Sequence, residues 1–378
     1  MLKTIKLGSL IKVHSGDGIA VDKLMNYGDY PAYGGNGING YNNNYNVPGG
    51  TLIIGRVGEK CGNVNITFSN SWVSDNALIV KPISRYDNNY LRYLLNYINL
   101  NNYANKNAQP VISGKIIYDI DILYEDDINK QRKIANSLLN IDHLIDSLQE
   151  LITKKNRIFD SAKQELLNGK NKHGEWKKVR IGDVGNFDGN GVDKKVNKDE
   201  RKVRLLNYMD IMHNNFIYDN MSKHFVTASE NKYNKCLVRA GDIFLTPSSE
   251  TREDIGVSAV ALDDSEDLVY SYHIVRFRPT IDMDMKFRAY IFQNQKFLDQ
   301  ASKYCEGSGK RYVCSNKKFA SFELEIPFDI NEQAEIGRVL YDMESEIKEL
   351  ESKLLKYKKI KDGLVNGLLT GKVRLSYE

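Results

Sequence analysis

One helical segment occurs twice in this chain, at a constant offset of 202 residues. Residues 129–170 read NKQRKIANSLLNIDHLIDSLQELITKKNRIFDSAKQELLNGK, and residues 331–372 read NEQAEIGRVLYDMESEIKELESKLLKYKKIKDGLVNGLLTGK. The two copies align without a gap over 42 positions. Unrelated helices would not stay in register over this length, so the chain consists of two copies of one unit.

Both copies have the apolar spacing of a coiled coil. Steps of four and three keep one narrow hydrophobic stripe against a partner helix. Neither copy contains an internal proline, each ends in glycine after a double leucine, and each helix would extend roughly 60 Å. A helical hairpin that only dimerises the protein would show the same spacing. The predicted seam consists of Ile134, Leu138, Ile141, Ile145, Leu148, Ile152, Ile336, Leu340, Met343, Ile347, Leu350 and Leu354.

Composition limits the class of protein. A chain of 378 residues with 41% hydrophobic residues is expected to form two or three domains with real cores. It contains no apolar run of transmembrane length, and the start MLKTIKLGSLIKV is too polar for a secretory signal. The four cysteines lack the CxxC spacing of zinc sites, and the net charge of +4 permits nucleic-acid binding without requiring it. We therefore expect a cytoplasmic protein without a membrane partner.

The segments before the two helices are predicted to be mixed α/β domains with related frameworks. In the first segment, residues 51–54, 72–82 and 116–123 have the pattern of strands, and residues 90–98 that of a helix. In the second segment, strands are predicted at 176–182, 240–245 and 273–279, which correspond to residues 4–8, 49–54 and 76–82 of the first. The sequences between these anchors differ almost completely. We predict four segments: a first domain, 1–128; a helix, 129–170; a second domain, 171–328; and a helix, 329–378.

Catalytic motifs are missing from the sequence. The GxGxxG at residues 35–40 is followed by Asn, Pro and Gly residues, which cannot open the helix of a dinucleotide site. The GSGK at residues 307–310 lacks the first glycine and the Ser or Thr of a P-loop. No NPPY or DPPY tetrapeptide of methyltransferases and no PD…ExK nuclease cluster occurs, and His143 and His273 are expected to be structural. We predict no catalytic site and no metal site.

Several motifs together resemble the specificity (S) subunit of type I restriction–modification systems, and the resemblance covers the whole chain. INKQRKI and INEQAEI resemble the family's start of each spacer helix. The first segment resembles one common type of target recognition domain in the motifs GGNGINGYNNNYN, IGRVGEKCGNV and SDNALIVKP. The second segment resembles another type of target recognition domain in the motifs LLNYMDI, GDIFLTPSSET, YSYHIVRFRP and EGSGKRYVCSNKKFASFELEIP.

This resemblance implies an α+β fold, in which two mixed α/β target recognition domains are separated by two long helices forming an antiparallel coiled coil. Each domain would read one half of a split, asymmetric site in double-stranded DNA, and the helices would set the gap. Two methyltransferase (modification) subunits would dock on the chain, and restriction (motor and nuclease) subunits could join them. The chain itself would bind no cofactor, whereas its partners would use S-adenosylmethionine, ATP and Mg²⁺ for adenine methylation and restriction.

The internal repeat agrees with these implications. Two domain–helix units related by an approximate two-fold axis place the helices antiparallel and the domains at opposite ends. Duplex DNA has the same pseudo-symmetry, and recognition units one helical turn apart lie ~34 Å from each other. Helices of roughly 60 Å are long enough to serve as this spacer.

DNA contacts are expected from the divergent loops. Side chains on base edges read sequence, most contacts reach phosphate, and arginine can bind guanine through two hydrogen bonds, which favours Arg56 and Arg311. A solvated loop residue is the alternative interpretation for each candidate. The first-domain candidates are Asn36, Asn39, Tyr41, Arg56, Lys60, Lys106 and Gln109. The second-domain candidates are Ser248, Ser249, Thr251, Arg252, Ser308, Lys310, Arg311 and Tyr312.

Two other function classes compete with a non-catalytic DNA-reading subunit. A stand-alone methyltransferase or nuclease is disfavoured by the missing motifs. A coiled-coil DNA-binding tether or regulator without enzyme partners would have no need for different loops on its two domains. Loop divergence within a repeated framework therefore favours the DNA-reading subunit.

Overall fold

The computed structural model describes residues 2–20, 23–105, 109–169 and 174–375. The chain divides into two compact units, Met1–Glu150 with Ser352–Glu378, and Leu151–Glu351. Each unit contains one globular domain and part of both long helices. No helix among the described residues is long and apolar enough to cross a membrane.

The first domain combines two sheets with helices. Its strands are β1 (Leu2–Lys6), β2 (Ile11–Ser15), β3 (Tyr30–Gly34), β4 (Gly37–Asn42), β5 (Leu52–Gly55), β6 (Val64–Ile66), β7 (Trp72–Val73), β8 (Ala77–Pro82) and β9 (Asp121–Glu125). Helices α1 (Asn88–Ile98) and α2 (Gly114–Tyr118) lie between β8 and β9, and the long helix α3 (Ile128–Leu167) follows β9. The sheets have the strand orders β2-β8-β5-β6 and β4-β3-β7, and β1 pairs antiparallel with β9.

The four-stranded sheet is buried on both faces, with a core on each side. Successive side chains on a strand point in opposite directions, so those of β5 enter the two cores in turn. On β5, Leu52 and Ile54 join the main core of the domain, which also includes residues of α1. Ile53 belongs to a second small core with Tyr33 of β3. This two-sided burial explains the continuous apolar run in the β5 sequence.

Residues 116–123 were predicted to be one strand, and this prediction was wrong. The structure places α2 and then β9 across this segment. The Ser113 side chain accepts a hydrogen bond from the backbone N–H of Ile116 and thereby caps α2. Ile120 and Ile122 are both buried and are spaced as on one face of a strand, so apolar spacing alone could not reveal that the segment begins with a helical turn.

The second domain contains more strands. They are β10 (Trp176–Arg180), β11 (Gly185–Asp188), β12 (Arg201–Leu206), β13 (Phe216–Ile217), β14 (Phe225–Ala228), β15 (Ile243–Leu245), β16 (Ser248–Ser249), β17 (Ser258–Ala261), β18 (Leu268–Tyr270), β19 (Val275–Pro279), β20 (Glu306–Ser308), β21 (Arg311–Val313) and β22 (Glu323–Pro327). The helices are α4 (Tyr208–Met212), α5 (Glu230–Cys236), α6 (Met285–Arg288), α7 (Gln295–Tyr304), α8 (Asn316–Ser321) and the long helix α9 (Ile330–Leu369).

The five-stranded sheet of this domain contributes to an aromatic core, and the β14-β12-β18 sheet belongs to a second core. The strand orders of the domain's sheets are β11-β19-β15-β17-β13, β14-β12-β18 and β16-β21-β20. Phe277, Phe292, Phe297 and Phe319 are fully buried, with ring centroids 4.8 to 6.0 Å apart between neighbours. As β1 does with β9, β10 pairs antiparallel with β22 over five residues, so both domains begin and end in the same kind of ladder.

The two long helices each contain 40 residues. Within the first unit, Asp142 of α3 forms an ion pair with Lys361 of α9 at 2.7 Å, and Ile134 and Leu368 line one cavity, so these segments run antiparallel. Within the second unit, Lys155 of α3 pairs with Glu346 of α9 at 2.6 Å.

Burial along the predicted seam differs between the two helices. All six predicted α3 residues are buried. On α9, Ile336, Leu340 and Ile347 are buried, whereas Met343, Leu350 and Leu354 are half-buried.

Candidate nucleic-acid interface

A glycine-rich hairpin carries three of the first-domain candidates, Asn36, Asn39 and Tyr41. Strands β3 and β4 pair so that Gly34 faces Gly37, which places Asn36 in the connecting turn. Gly37 has a φ of 116°, a backbone conformation that residues with a Cβ atom rarely adopt. Asn36 and Asn39 are exposed. Their amides offer donors and acceptors of the kind that recognise adenine edges.

Two further segments lie against this hairpin. A Cβ at Gly35 would approach the carbonyl oxygen of Val57 to 3.3 Å, which places the hairpin turn beside the β5–β6 connection. The same connection is joined to residues 109–111 by the hydrogen bond from the Gly58 N–H to the Pro110 carbonyl, at 3.0 Å. The structure therefore brings together the segments that carry Asn36, Arg56, Lys60 and Gln109.

Other first-domain candidates are more constrained. Arg56 is half-buried, and its Nη1 donates to the Ser15 hydroxyl at 3.2 Å and to the Asp75 carbonyl at 3.5 Å. Tyr41 lies at the opposite end of β4 from the turn, where its backbone pairs with Met25. Lys106 lies outside the described residues.

The second-domain candidates gather on one small sheet. Ser249 of β16 faces Tyr312 of β21, and the β20–β21 hairpin presents Ser308, Lys310 and Arg311, which are all exposed. A Cβ at Gly307, where φ is 127°, would lie 2.1 Å from the Arg311 carbonyl oxygen, so this tight hairpin requires glycine. All eight predicted residues lie in this sheet or its adjoining loops.

Hydrogen bonds separate these residues into two groups. Ser249 and Thr251 both donate to Asp254 Oδ2, at 3.2 and 2.7 Å, and so stabilise the loop after β16. The Arg252 guanidinium lies 4.6 Å above the Tyr312 ring and donates to the Ser302 carbonyl at 3.0 Å. These four residues shape the surface. Ser308, Lys310 and Arg311 are exposed beside them, and Arg311 Nη2 donates to the Ser248 hydroxyl at 3.3 Å.

Residues that the sequence did not suggest extend this surface. The positive charges of Lys194 and Arg311 contribute to a lowered pKa of His273, after the larger effect of burial. Tyr272 is 47% exposed, its ring centroid is 3.9 Å from that of His273, and its N–H donates to the Val192 carbonyl at 3.1 Å. No local spacing in the sequence could reveal that these distant segments meet.

The position of His273 also corrects a prediction. Sequence patterning assigned it to a strand, whereas it lies in the turn before β19. The turn forms because the Ser271 hydroxyl accepts a hydrogen bond from the His273 N–H at 3.3 Å.

Both surfaces expose groups that can bind through hydrogen bonds and charge. Across the described ranges, no cluster of three or more His, Cys, Asp or Glu residues could hold a metal ion. The exposed groups include amides, hydroxyls, aromatic rings and positive charges, which suit recognition of base edges and phosphates. The second-domain sheet also exposes the carboxylate of Glu306, which pairs with Lys318 at 2.7 Å.

Comparison with known families agrees with this chemistry. The model of the family described as "Type I restriction modification DNA specificity domain" matches residues 2–157 and 173–357. The chain belongs to this family. The resemblance to type I specificity subunits is therefore confirmed, and each match contains one of the two candidate surfaces.

Individual specificity subunits are similar to parts or to all of the chain. The Escherichia coli type I restriction enzyme EcoprrI specificity subunit is 31% identical over 149 residues, which are 38% of this chain and 37% of that protein. The S subunit from M. genitalium has a TM-score of 0.66 at 14% identity, covering 100% of this chain and 97% of that chain. A chain from a study of complex assembly and conformational transition of the type I R-M system has a TM-score of 0.59 at 11% identity, with 97% of both chains covered. These structural likenesses concern the fold.

Proposed function

We propose that this chain is the non-catalytic DNA-reading subunit of a type I restriction–modification complex, and that each domain reads one half of a bipartite, asymmetric site. One observation carries this proposal: two domains with equivalent framing ladders expose different polar surfaces. The ladders β1–β9 and β10–β22 both pair five residues antiparallel. The exposed surfaces are a β3–β4 hairpin in one domain and the β16-β21-β20 sheet in the other. Different readers on similar frameworks suit an asymmetric target.

The proposed spacer is an antiparallel coiled coil formed by α3 and α9. Support comes from the antiparallel contacts in the first unit and from the buried apolar residues of both helices. The pseudo-two-fold repeat of the sequence would match the pseudo-symmetry of the DNA backbone. In this arrangement, the helices set the number of base pairs between the half-sites.

Two methyltransferase subunits are the proposed partners, with restriction subunits as further members of the complex. Family membership supports this assignment. S-adenosylmethionine would be bound by the methyltransferase subunits, and ATP and Mg²⁺ by the restriction subunits. The specificity chain would supply DNA sequence recognition to both reactions.

Sequencing of modified bases tests the proposed function. A host expressing this chain with its modification subunits should acquire adenine methylation at a two-part motif with one constant gap. The same host expressing the modification subunits alone should show none of these sites. An uninterrupted motif would contradict the assignment of one half-site to each domain.

Substitution of Arg311 tests how the second domain reads DNA. If the exposed guanidinium contacts a base edge, Arg311→Ala should weaken binding by ~1–3 kcal/mol at one or two base pairs. If it contacts phosphate, binding to all sequences should weaken equally, and the salt dependence should fall by about one unit of slope. Binding measured over a salt series to DNAs with single base-pair changes distinguishes the two outcomes.

Arg180→Ala is the matched control for charge. Arg180 is an exposed arginine of the same domain, but it lies on the β10–β22 ladder and not on the candidate surface. We expect it to leave base preference unchanged. Equal effects of both substitutions on base preference would argue against the proposed interface.

A further inference from the structure

The first domain is bonded to α3 at two places along the helix. The fully buried Gln131 accepts a hydrogen bond through Oε1 from the backbone N–H of Asp87, at 2.8 Å. Further along α3, Asp142 accepts a hydrogen bond through Oδ2 from the Tyr93 hydroxyl, at 2.5 Å. The other Asp142 oxygen pairs with Lys361 at 2.7 Å. Asp87 is the N-cap of α1, and Tyr93 lies within that helix.

The second domain is bonded to α9 in the same way. The buried Gln333 accepts through Oε1 from the backbone N–H of Asp284, at 2.9 Å. Glu344 accepts through Oε2 from the Tyr290 hydroxyl, at 2.7 Å, and its other oxygen pairs with Lys348 at 2.6 Å. Asp284 is the N-cap of α6, and Tyr290 follows that helix.

The glutamine bonds will be called the amide contacts, and the tyrosine bonds the carboxylate contacts. In each domain, the tyrosine lies six positions after the aspartate, and in each long helix the carboxylate lies eleven positions after the glutamine. The domain partners repeat at an offset of 197, whereas the helix partners repeat at 202. An aspartate, a tyrosine, a glutamine and an acidic residue therefore form the same contacts in both domains. They do so although the domain has shifted along the sequence relative to its helix and the surrounding domain sequences have diverged.

Both contacts are costly to break. Burial raises the pKa of the Tyr93 and Tyr290 hydroxyls, which therefore remain hydrogen-bond donors at neutral pH. A hydrogen bond to a carboxylate is stronger than one between neutral groups. A buried amide without its partner would lose its hydrogen bonds to both protein and water. The domains are therefore held firmly at both points.

We propose that the amide and carboxylate contacts fix the angle of each domain on its long helix, and that this angle determines which gap between half-sites is accepted. The inference rests on the proposed function. Eleven residues of helix separate the two contacts by ~16 Å, so together they oppose rotation of the domain about either one. On an arm of about 20 Å, a typical domain dimension, a tilt of about 10° moves the surface by about 3.4 Å, the rise of one base pair.

Removal of the tyrosine hydroxyls tests this inference in the full complex. Methylation rates of the unaltered chain, Tyr93→Phe, Tyr290→Phe and the double variant are measured on DNAs whose gap is shortened or lengthened by one or two base pairs. For the double variant, the rate at a gap changed by one base pair, relative to the preferred gap, should rise about tenfold, equivalent to about 1.4 kcal/mol. Both half-site sequences should stay the same.

A matched variant separates attachment from general stability. Tyr118→Phe removes a hydroxyl that donates to the Val13 carbonyl at 3.2 Å within the first domain, so its gap preference should equal that of the unaltered chain. If the double variant shows no methylation, binding of each single variant to the same DNA series is measured instead. Binding at a gap changed by one base pair, relative to the preferred gap, should then rise.

An unchanged gap profile in the double variant would overturn the inference. A changed half-site sequence would also overturn it, because neither tyrosine lies on the candidate reading surfaces. Failure of the proposed function would instead be visible in the unaltered chain, as the absence of a two-part methylated motif.

Discussion

Replacing residues 171–328 with the matching domain of a related specificity subunit should change one half of the methylated site and leave the other half unchanged. The ladder between β10 and β22 joins Trp176 to Pro327, so the domain begins and ends at one place beside the start of α9. An exchanged domain that keeps this ladder, together with Asp284 and Tyr290, keeps its attachment to the long helix. Methylation sequencing of the chimaera should therefore show a new half-site at the original gap.

The reciprocal exchange provides the control. Replacing residues 1–128, while retaining the β1–β9 ladder and the Asp87 and Tyr93 contacts, should change only the other half-site. If either exchange alters both half-sites, or neither, the assignment of one reader to each domain is wrong.

A charge placed in the helix seam should disrupt assembly with the methyltransferase. Leu148 and Ile347 are 6% and 5% exposed, respectively. An unpaired carboxylate at either position costs several kcal/mol, against a total stability of about 5–15 kcal/mol for a typical domain. We expect Leu148→Asp and Ile347→Asp to lower the melting temperature strongly and to abolish the complex in size-exclusion chromatography.

Neighbouring leucines on the same helices are suitable controls. Leu151 is 39% exposed and Leu355 is 56% exposed, so Leu151→Asp and Leu355→Asp introduce the same charge where water can solvate it. Both variants should melt close to the unaltered chain and retain the complex. A full-affinity complex with Leu148→Asp or Ile347→Asp would show that these residues do not form the seam.

The long helices could be predicted from sequence because their information is local. A step of four and three identifies an apolar stripe without knowledge of its partner. The observed helices begin at Ile128 and Ile330, which preserves the offset of 202. Local spacing was less informative at residues 116–123, where a capping serine decides between a strand and a short helix.

The attachment contacts could not be found by the same comparison. Gln131 and Gln333 match at the offset of the helices, but Tyr93 and Tyr290 match only at 197, so an ungapped alignment misses them. A comparison allowing a gap would have found aspartate followed six residues later by tyrosine in both domains. The electrostatic influence of Lys194 and Arg311 on His273 has no such signal, because it depends on how three distant segments fold.

Closure of the first unit by α9 has a consequence for biosynthesis. Tyr97 donates to Asn366 at 2.9 Å across 269 residues, and Leu368 and Leu369 belong to the same buried core as Ile134 and Leu138. A ribosome adding about 5–20 residues per second reaches these leucines about 10–50 s after the first domain has been synthesised. During that interval, the nascent chain exposes the apolar stripe of α3, a surface suited to chaperones or to a second nascent copy. The unit whose synthesis begins first is therefore completed last.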